Sequence, residues 1–320
     1  LFLILLISLN TACLQVPSPE EQKQSLPQSQ SFSESGELQI YFPYVGQGDS
    51  TLIQLPSKKY LLIDASNPQS AKEELIPFLE AKGVKKLEAL IISHYDLDHL
   101  GGLQSLAEAG IEITQLYDRG SELIFNENTY TQYLSQALEL DLSPIPLQAG
   151  ETLNLSEEVE IKVLASSGEV LGENKIWTSL DLSPESYSSR ENASSLALLI
   201  EYGNFRYLTS GDLTGGKDLD GFLSPDMESL VAASLKGTVD VVHANHHGSL
   251  SSSNQNFILA TLPEAVIIQA GIHNFYGHPH PQVIQAWQSI GAKVYSTDEG
   301  KGYAVFSDGL DWELSEIAAP

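Results

Sequence analysis

The chain has one cysteine in 320 residues, Cys13. A single thiol excludes an intrachain disulfide framework and a metal cluster built on thiolates. Cations are scarce as well: 16 Lys and Arg stand against 42 Asp and Glu, a formal net charge of −26. A surface of that sign repels polyanions, which argues against a long basic face gripping nucleic acid. It reads first as a solubilising surface, with attraction of metal cations as the lesser alternative. The apolar run Leu1–Leu9 falls well short of the roughly 20 residues needed to span a bilayer. Histidine is sparse too, eight residues in all. What remains is ordinary: 42% hydrophobic residues, 24 Gly and 15 Pro suit one large globular domain or two small ones.

Leu1–Leu9 suits the apolar core of a secretory signal peptide, whose true start, with its basic segment, is expected to lie before Leu1. Asn10-Thr11-Ala12-Cys13 resembles the end of a bacterial lipoprotein signal, in which the cysteine becomes the lipidated first residue. Ala12 fits that pattern; Asn10 departs from the leucine usual three residues before the cysteine. Residues 1–13 are therefore expected to be a signal peptide. The protein is expected to be exported to the cell surface or periplasm, anchored by lipid at Cys13. Plain secretion and a retained N-terminal anchor are the other outcomes. Residues 14–36, rich in Ser, Gln, Pro and Glu, read as a flexible spacer.

From Glu37 to Pro320 short apolar strands alternate with amphipathic helices, which predicts one α/β domain. Expected strands include Leu38–Val45, Thr51–Leu55, Tyr60–Ile63, Leu87–Ser93, Ile111–Tyr117, Phe205–Thr209, Val239–His243 and Ala265–Gln269. Expected helices are Ser70–Lys82, Leu103–Ala109, Tyr130–Glu139, Met227–Leu235, Ser253–Ala260 and Pro281–Ile290. Ser167–Asn192 lacks periodicity and reads as a surface insertion.

All eight histidines fall in three short segments. The first runs His94-Tyr95-Asp96-Leu97-Asp98-His99-Leu100-Gly101-Gly102, directly after an apolar strand, where α/β proteins place their sites. In an extended turn His94, Asp96 and Asp98 alternate toward one side and His99 follows from the other, so four ligands can serve adjacent metals. A helix cap needs one or two such residues, not four. Asp212 follows the strand Phe205–Thr209 and can bridge two cations or cap a helix. His246 and His247 follow the next strand; on an extended segment they face opposite ways, so one of the pair is expected to bind metal. His278 closes the third segment and is the candidate ligand there. His273 and His280 read as surface or supporting residues, and His243 as packing or as support for a ligand. Gly48, Asp49 and Ser50 form either a nest of backbone N–H groups for a phosphate or a tight loop shaping the site floor.

The motif H-x-D-x-D-H is similar to the H-x-H-x-D-H signature of the metallo-β-lactamase-fold hydrolases. Asp96 in place of the second histidine, together with Gly46-Gln47-Gly48-Asp49-Ser50, makes it resemble the hydrolase domain of ComEC competence proteins. Leu62-Ile63-Asp64, Asn192-Ala193-Ser194-Ser195, Ser210-Gly211-Asp212, His246-His247-Gly248-Ser249 and Tyr276-Gly277-His278-Pro279 follow in family order.

The resemblance implies an αββα four-layer sandwich and two divalent ions, zinc or manganese. It assigns His94, Asp96 and His247 to one ion, Asp98, His99 and His278 to the other, and Asp212 as the bridge. Asp64 would support the ligands. The family's third-motif histidine is replaced by the region of Asn192 and Ser195, assigned here to substrate binding. The implied activity is phosphodiester cleavage by a hydroxide bridging the two metals, with Asp98 orienting it and His246 or Tyr276 assisting the leaving group. The expected substrate is a phosphodiester such as a DNA or RNA end. A cell-envelope ester of phosphorylcholine type, a β-lactam, or a non-catalytic envelope-binding role are the alternatives.

Overall fold

The computed structural model describes residues 36–121, 124–172, 187–217 and 223–317. The signal-peptide and lipid-anchor expectations rest on residues outside this set, as does most of the spacer. Among the described residues no helix is long and apolar enough to cross a membrane.

Gly36–Pro320 is one compact unit, built on two large sheets. The first contains β1 (Leu38–Phe42), β2 (Thr51–Gln54), β3 (Tyr60–Ile63), β4 (Ala89–Ile91), β5 (Leu116–Asp118) and β6 (Ile145–Pro146). The second contains β7 (Thr152–Leu153), β8 (Val159–Ser166), β9 (Glu169–Val170), β10 (Ala197–Tyr202), β11 (Phe205–Thr209), β12 (Val241–His243), β13 (Ala265–Ile268) and β14 (Lys293–Ser296). The chain then returns to the first sheet as β15 (Gly302–Ser307) and β16 (Trp312–Ile317). The strand orders are β16-β15-β1-β2-β3-β4-β5-β6 and β9-β8-β10-β11-β12-β13-β14, with β7 beside β8.

Alternation along the strands explains the layering, because successive side chains face opposite sides of a sheet. Leu38, Ile40 and Phe42 of β1 meet Leu198, Ile200 and Tyr202 of β10 in the core between the sheets. Tyr41, Leu52, Leu62 and Leu90 face the other way and bury against a helical layer carrying Leu75, Leu79, Leu103 and Leu106. On the far side Leu199, Leu208, Val242 and Val266 pack under Val231, Phe257 and Trp287. A fully buried side chain of this kind contributes about 1.5–3 kcal/mol. The result is the expected αββα sandwich.

Both sheets change from antiparallel to parallel pairing midway: at β3–β4 in the first and at β11–β12 in the second. The loops leaving the carboxyl ends of these parallel strands carry Asp64, His94, Asp212, His246 and His278, which is the edge where α/β sheets place ligands.

Several local expectations needed correction. Leu87–Ser93 is two strands, Lys86–Leu87 and β4. Ile111–Tyr117 likewise divides into Glu112–Ile113 and β5. Trp312–Ile317 was not anticipated, because as an edge strand it alternates with charged, exposed residues. Both described ends of the expected surface insertion are interior: Ser167, Arg190, Glu191 and Asn192 are buried, and Tyr187–Ala193 is helical. Residues 173–186 of that stretch lie outside the described set.

Candidate metal centre

His94, His99 and His247 are almost fully buried, and each is held from behind through Nδ1. The Asp64 carboxylate accepts from the Ser93 backbone N–H at 2.7 Å and from Ser93 Oγ at 2.7 Å, and lies 2.8 Å from His99 Nδ1. Ser93 Oγ also lies 3.0 Å from His94 Nδ1. His247 Nδ1 donates to the Gln269 carbonyl at 3.0 Å, with Asp49 Oδ1 also 3.0 Å away. Anchoring one ring nitrogen fixes the tautomer and aims the other.

The aimed atoms converge on Asp212. His99 Nε2 is 3.3 Å from Asp212 Oδ1, while the Nε2 atoms of His94, His247 and His246 are 3.9, 3.7 and 3.7 Å from Oδ2. Asp96 Oδ2 lies 3.6 Å from His94 Nε2, and Asp98 Oδ2 lies 3.4 Å from His247 Nε2. Gly211 permits this: its φ of +51° is left-handed, and a Cβ there would stand 2.7 Å from Ser93 Oγ.

Buried polar atoms are normally hydrogen-bonded. Here the Nε2 atoms of His94, His99 and His247 and Oδ1 of Asp212 are buried with no hydrogen-bond partner. Four inward-facing orphans, with carboxylates between neutral nitrogen donors and no sulfur, make a donor set that fits divalent zinc or manganese. The ligand atoms of His94, His99 and Asp212 lie within 4.8 Å of one another, as do those of Asp98, His99 and His247.

The charges are mutually dependent. Burial alone would raise the Asp212 pKa, but His247, His99 and His246 hold it well below the ordinary carboxylate value. Asp98 is likewise pulled down, against burial, chiefly by His247 and His99. Burial opposes charge on His99 and His247, yet Asp212 with Asp64 or Asp49 raises both well above 6.5. Without a cation, protons balance the carboxylates.

Several assignments changed. The His94 segment is not an extended turn: Asp96 occupies the N-cap position of the helix Leu97–Leu100 without capping it, and Asp98 and His99 lie within that helix. His246 and His247 are not extended either. Both adopt left-handed conformations, with φ of 50° and 53°, so both rings approach Asp212 instead of facing opposite ways. His247 stands with Asp98 and His99, not with His94 and Asp96. His246 also approaches Asp212, its Nε2 3.7 Å from Oδ2, with its Nδ1 2.6 Å from Ser251 Oγ.

His278 sits outside this inner group, its ring centroid 5.4 Å from His246 and 6.1 Å from His247. Burial, then the neighbouring histidines, lower its pKa to about 3. Tyr276 lies on the rim, 68% exposed, with its ring stacked on His278. His273 is exposed, and His280 is the N-cap residue of Pro281–Ser289.

The floor segment is no phosphate nest. Asp49 and Ser50 are buried, and their N–H groups are taken by the Asp98 carbonyl at 3.2 Å and Gln269 Oε1 at 3.1 Å. Gly48 passes so close to Asp98 that a Cβ would be 2.5 Å from its carbonyl oxygen. Asp49 lies beneath both histidines, its Oδ1 3.0 Å from His247 Nδ1 and 3.8 Å from His243 Nε2. Ser195 also acts inside, its Oγ accepting from the Asp212 N–H at 3.3 Å, whereas Asn192 reaches His246 Nε2 at 3.3 Å.

Three supports were missed because each acts across long sequence separations. Gln269 joins Ser50, the Pro43 carbonyl and His247. Buried Glu228 accepts from Asn245 Nδ2 and from the Ser253 and Asn254 N–H groups, each at 2.7 Å, and so shapes the His246 loop. Glu191 accepts from the Tyr95 N–H at 2.7 Å while paired with buried Arg119, tying the helix Tyr187–Ala193 to the first ligand loop.

Residues 43–168 match the metallo-beta-lactamase superfamily. ComE operon protein 3 of Bacillus subtilis (strain 168) is 30% identical over 283 residues, covering 83% of this chain and 32% of that one. Competence protein ComA of Neisseria gonorrhoeae is 26% identical over 255 residues, covering 79% and 30%. The chain thus spans about a third of the length of these relatives. Among solved structures, CmlA beta-hydroxylase (E377D mutant) matches with a TM-score of 0.50 and 17% identity, over 80% of this chain and 52% of that one, a likeness of fold alone.

Proposed function

Starting from a ComEC-like protein of the metallo-β-lactamase fold, we propose a dinuclear hydrolase that cleaves phosphodiester bonds, with nucleic-acid ends as its substrate class. The observation that carries this reading is the buried convergence of unpartnered His94, His99 and His247 Nε2 atoms on Asp212, flanked by Asp96 and Asp98. The resemblance of the H-x-D-x-D-H and Gly46–Ser50 motifs to the ComEC hydrolase domain supports the phosphodiester class.

In this reading His94 and Asp96 would hold one ion and Asp98, His99 and His247 the other, with Asp212 shared between the two groups. Divalent ions here supply Lewis acidity and an acidified water near neutral pH. The chain's own residues do the rest. Asp64, Ser93 and Asp49 keep the ligand nitrogens aimed inward. Asp98, whose side chain is 32% exposed, borders solvent and orients the attacking water. His246, 23% exposed and held by Ser251, faces the opening and hydrogen-bonds the departing oxygen. The leader and Cys13 supply the basis for proposing export and lipid anchoring.

Hydrolysis of bis-p-nitrophenyl phosphate by the metal-stripped protein, then with manganese or zinc restored, tests this reading. Turnover should return with metal and vanish in Asp212→Asn. Stoichiometric metal binding without turnover of any phosphodiester would sink it.

A further inference from the structure

The rings around the centre form a stack that leads outward. His247 lies 5.3 Å from His99 at 35°, His278 lies 6.1 Å from His247 at 28°, and Tyr276 lies 5.6 Å from His278 at 22°. The first two rings are buried among the metal-ligand candidates, and the last belongs to the surface. Tyr276 is 68% exposed and its neighbour Phe275 is fully so, at 107%. Two large aromatic side chains left in water beside a catalytic cleft are costly unless something covers them.

This tip is built, not slack. Asn274 braces the loop, its Nδ2 donating to the carbonyls of Gly271 at 2.9 Å and His278 at 2.5 Å. Its Oδ1 accepts from the His278 N–H at 3.0 Å. The backbone that carries Tyr276 is thus held, and its ring rests on His278 with its other face toward solvent.

A second observation narrows what can bind. The segments that frame the centre, residues 44–50, 93–102, 192–195, 210–214, 244–253 and 270–280, contain no lysine or arginine. Nothing in them can grip a run of phosphates electrostatically, the usual way a nuclease tracks a strand. Within these segments, affinity for the flanking part of a substrate comes from another kind of contact, and the aromatic tip supplies one.

We propose that Tyr276 and Phe275 form a stacking platform for the nucleobase next to the scissile phosphodiester, making the site selective for unpaired nucleotide ends. This rests on the phosphodiesterase reading above. A flat, exposed face backed by the His278 ring suits a planar base, which stacks regardless of sequence. A quaternary ammonium favours a cage of several faces around the cation. A base inside a duplex is stacked on both sides, and a terminal one is held by its pairing partner and inner neighbour, so an unpaired end reaches the platform at lower cost.

The test compares three esters that share a p-nitrophenolate leaving group: the thymidine 5′-phosphate, methyl phosphate and phosphorylcholine esters. In each, water adds at phosphorus and p-nitrophenolate departs, leaving the corresponding phosphate monoester. The full-length protein loaded with manganese should favour the thymidine ester over the methyl ester in kcat/KM by roughly 5- to 100-fold, the range of one stacked base. The preference should reside mainly in KM. It should collapse in the Phe275→Ala/Tyr276→Ala double variant and persist in Tyr276→Phe, which keeps the ring and loses the hydroxyl.

Equal use of the thymidine and methyl esters overturns the platform while leaving the hydrolase reading intact. So does a thymidine preference that survives the double variant. A choline ester that outruns the thymidine ester, and depends on the same rings, replaces the base with a cation. No turnover of any ester with manganese or zinc removes the phosphodiesterase reading, and the platform with it. Both residues are surface-exposed, so the variants are expected to fold, and circular dichroism with metal content checks this.

Discussion

His99 and His247 both turn a bare Nε2 toward Asp212, at 3.3 and 3.7 Å, but the chain delivers them differently. His99 rides on a regular helix that starts at the end of β4, and its support, Asp64, comes from the adjacent parallel strand. His247 sits in a left-handed pair followed by Gly248, a conformation most side chains avoid. Its loop is held in place by Glu228, Gln269 and Ser252, residues that carry no signature of their own. In the first half the ligands His99 and Asp98 ride on helical backbone, braced by Asp64 (itself left-handed, φ 60°) and by the distant Glu191. In the second the ligand-bearing residues themselves adopt left-handed backbone, so their placement depends more on the stability of the surrounding fold.

Asp212 is common to both halves, and Asp212→Asn should have the largest effect. Loss of both metal content and turnover should exceed the roughly 100-fold that removal of an outer partner costs. A variant that keeps two metals and full rate would end the bridging assignment. Asp64→Asn should lower metal affinity about 10- to 100-fold, because His99 loses the carboxylate that orients it; competition with a chelating dye measures this.

Glu228→Gln should instead cost stability, about 1–3 kcal/mol, since its amide would face N–H donors where an acceptor is required. Urea unfolding reads that loss. If Asp64→Asn and Glu228→Gln shift stability and metal affinity in the same proportion, the contrast between the halves is false.

Titration offers a finer probe. His99 and His247 have folded-state pKa values raised above 6.5, so in metal-free protein their contribution is full below pH 6.5 and lost as pH rises through the folded values. Asp98 and Asp212 are depressed below 3.8, so theirs is full above that value and lost as pH falls through the folded ones. Metal-free protein should therefore lose stability as pH rises above about 6.5, while below it the gain from these four groups is opposed by His278, whose lowered pKa costs stability as pH falls. Metal should abolish the decline above 6.5 and release protons on binding, seen as buffer-dependent heats in calorimetry. A metal-free Tm that climbs steadily from pH 6 to 9 contradicts this. The smallest effect expected is from His280→Ala, with His278→Ala exceeding it in metal content, since only His278 lies against His246 and His247.

The legibility of the sequence followed the same division. The H-x-D-x-D-H run lies at a strand end and gathers four polar residues in six positions, so the first half can be read without coordinates. The alternation of strands and helices also predicts an α/β domain, while the four layers follow only from the family resemblance. Which histidine joins which carboxylate depends on backbone sign at His246 and His247, and nothing in an His-His-Gly triplet announces left-handed φ at both histidines. Asp49 reads as a polar loop residue in a glycine-rich turn, yet it is buried because Gln269, far along the chain, takes the neighbouring N–H. Edge strands such as β16 carry too many charges to show their period.

The return of the chain to its first sheet has a kinetic consequence. β1 pairs on one side with β2 and on the other with β15, Leu38 opposite Ser307. Until residues near 302–317 have been synthesised and docked, the outer edge of β1 lacks its partner, with Leu38, Ile40 and Phe42 as its apolar face. Such an edge is a template for pairing between chains, and contacts this distant in sequence slow folding. The metal-binding loops all precede β15, so the ligands are present before the sheet that supports them can close. Nascent or C-terminally clipped chains should thus aggregate through β1 even when every ligand is present.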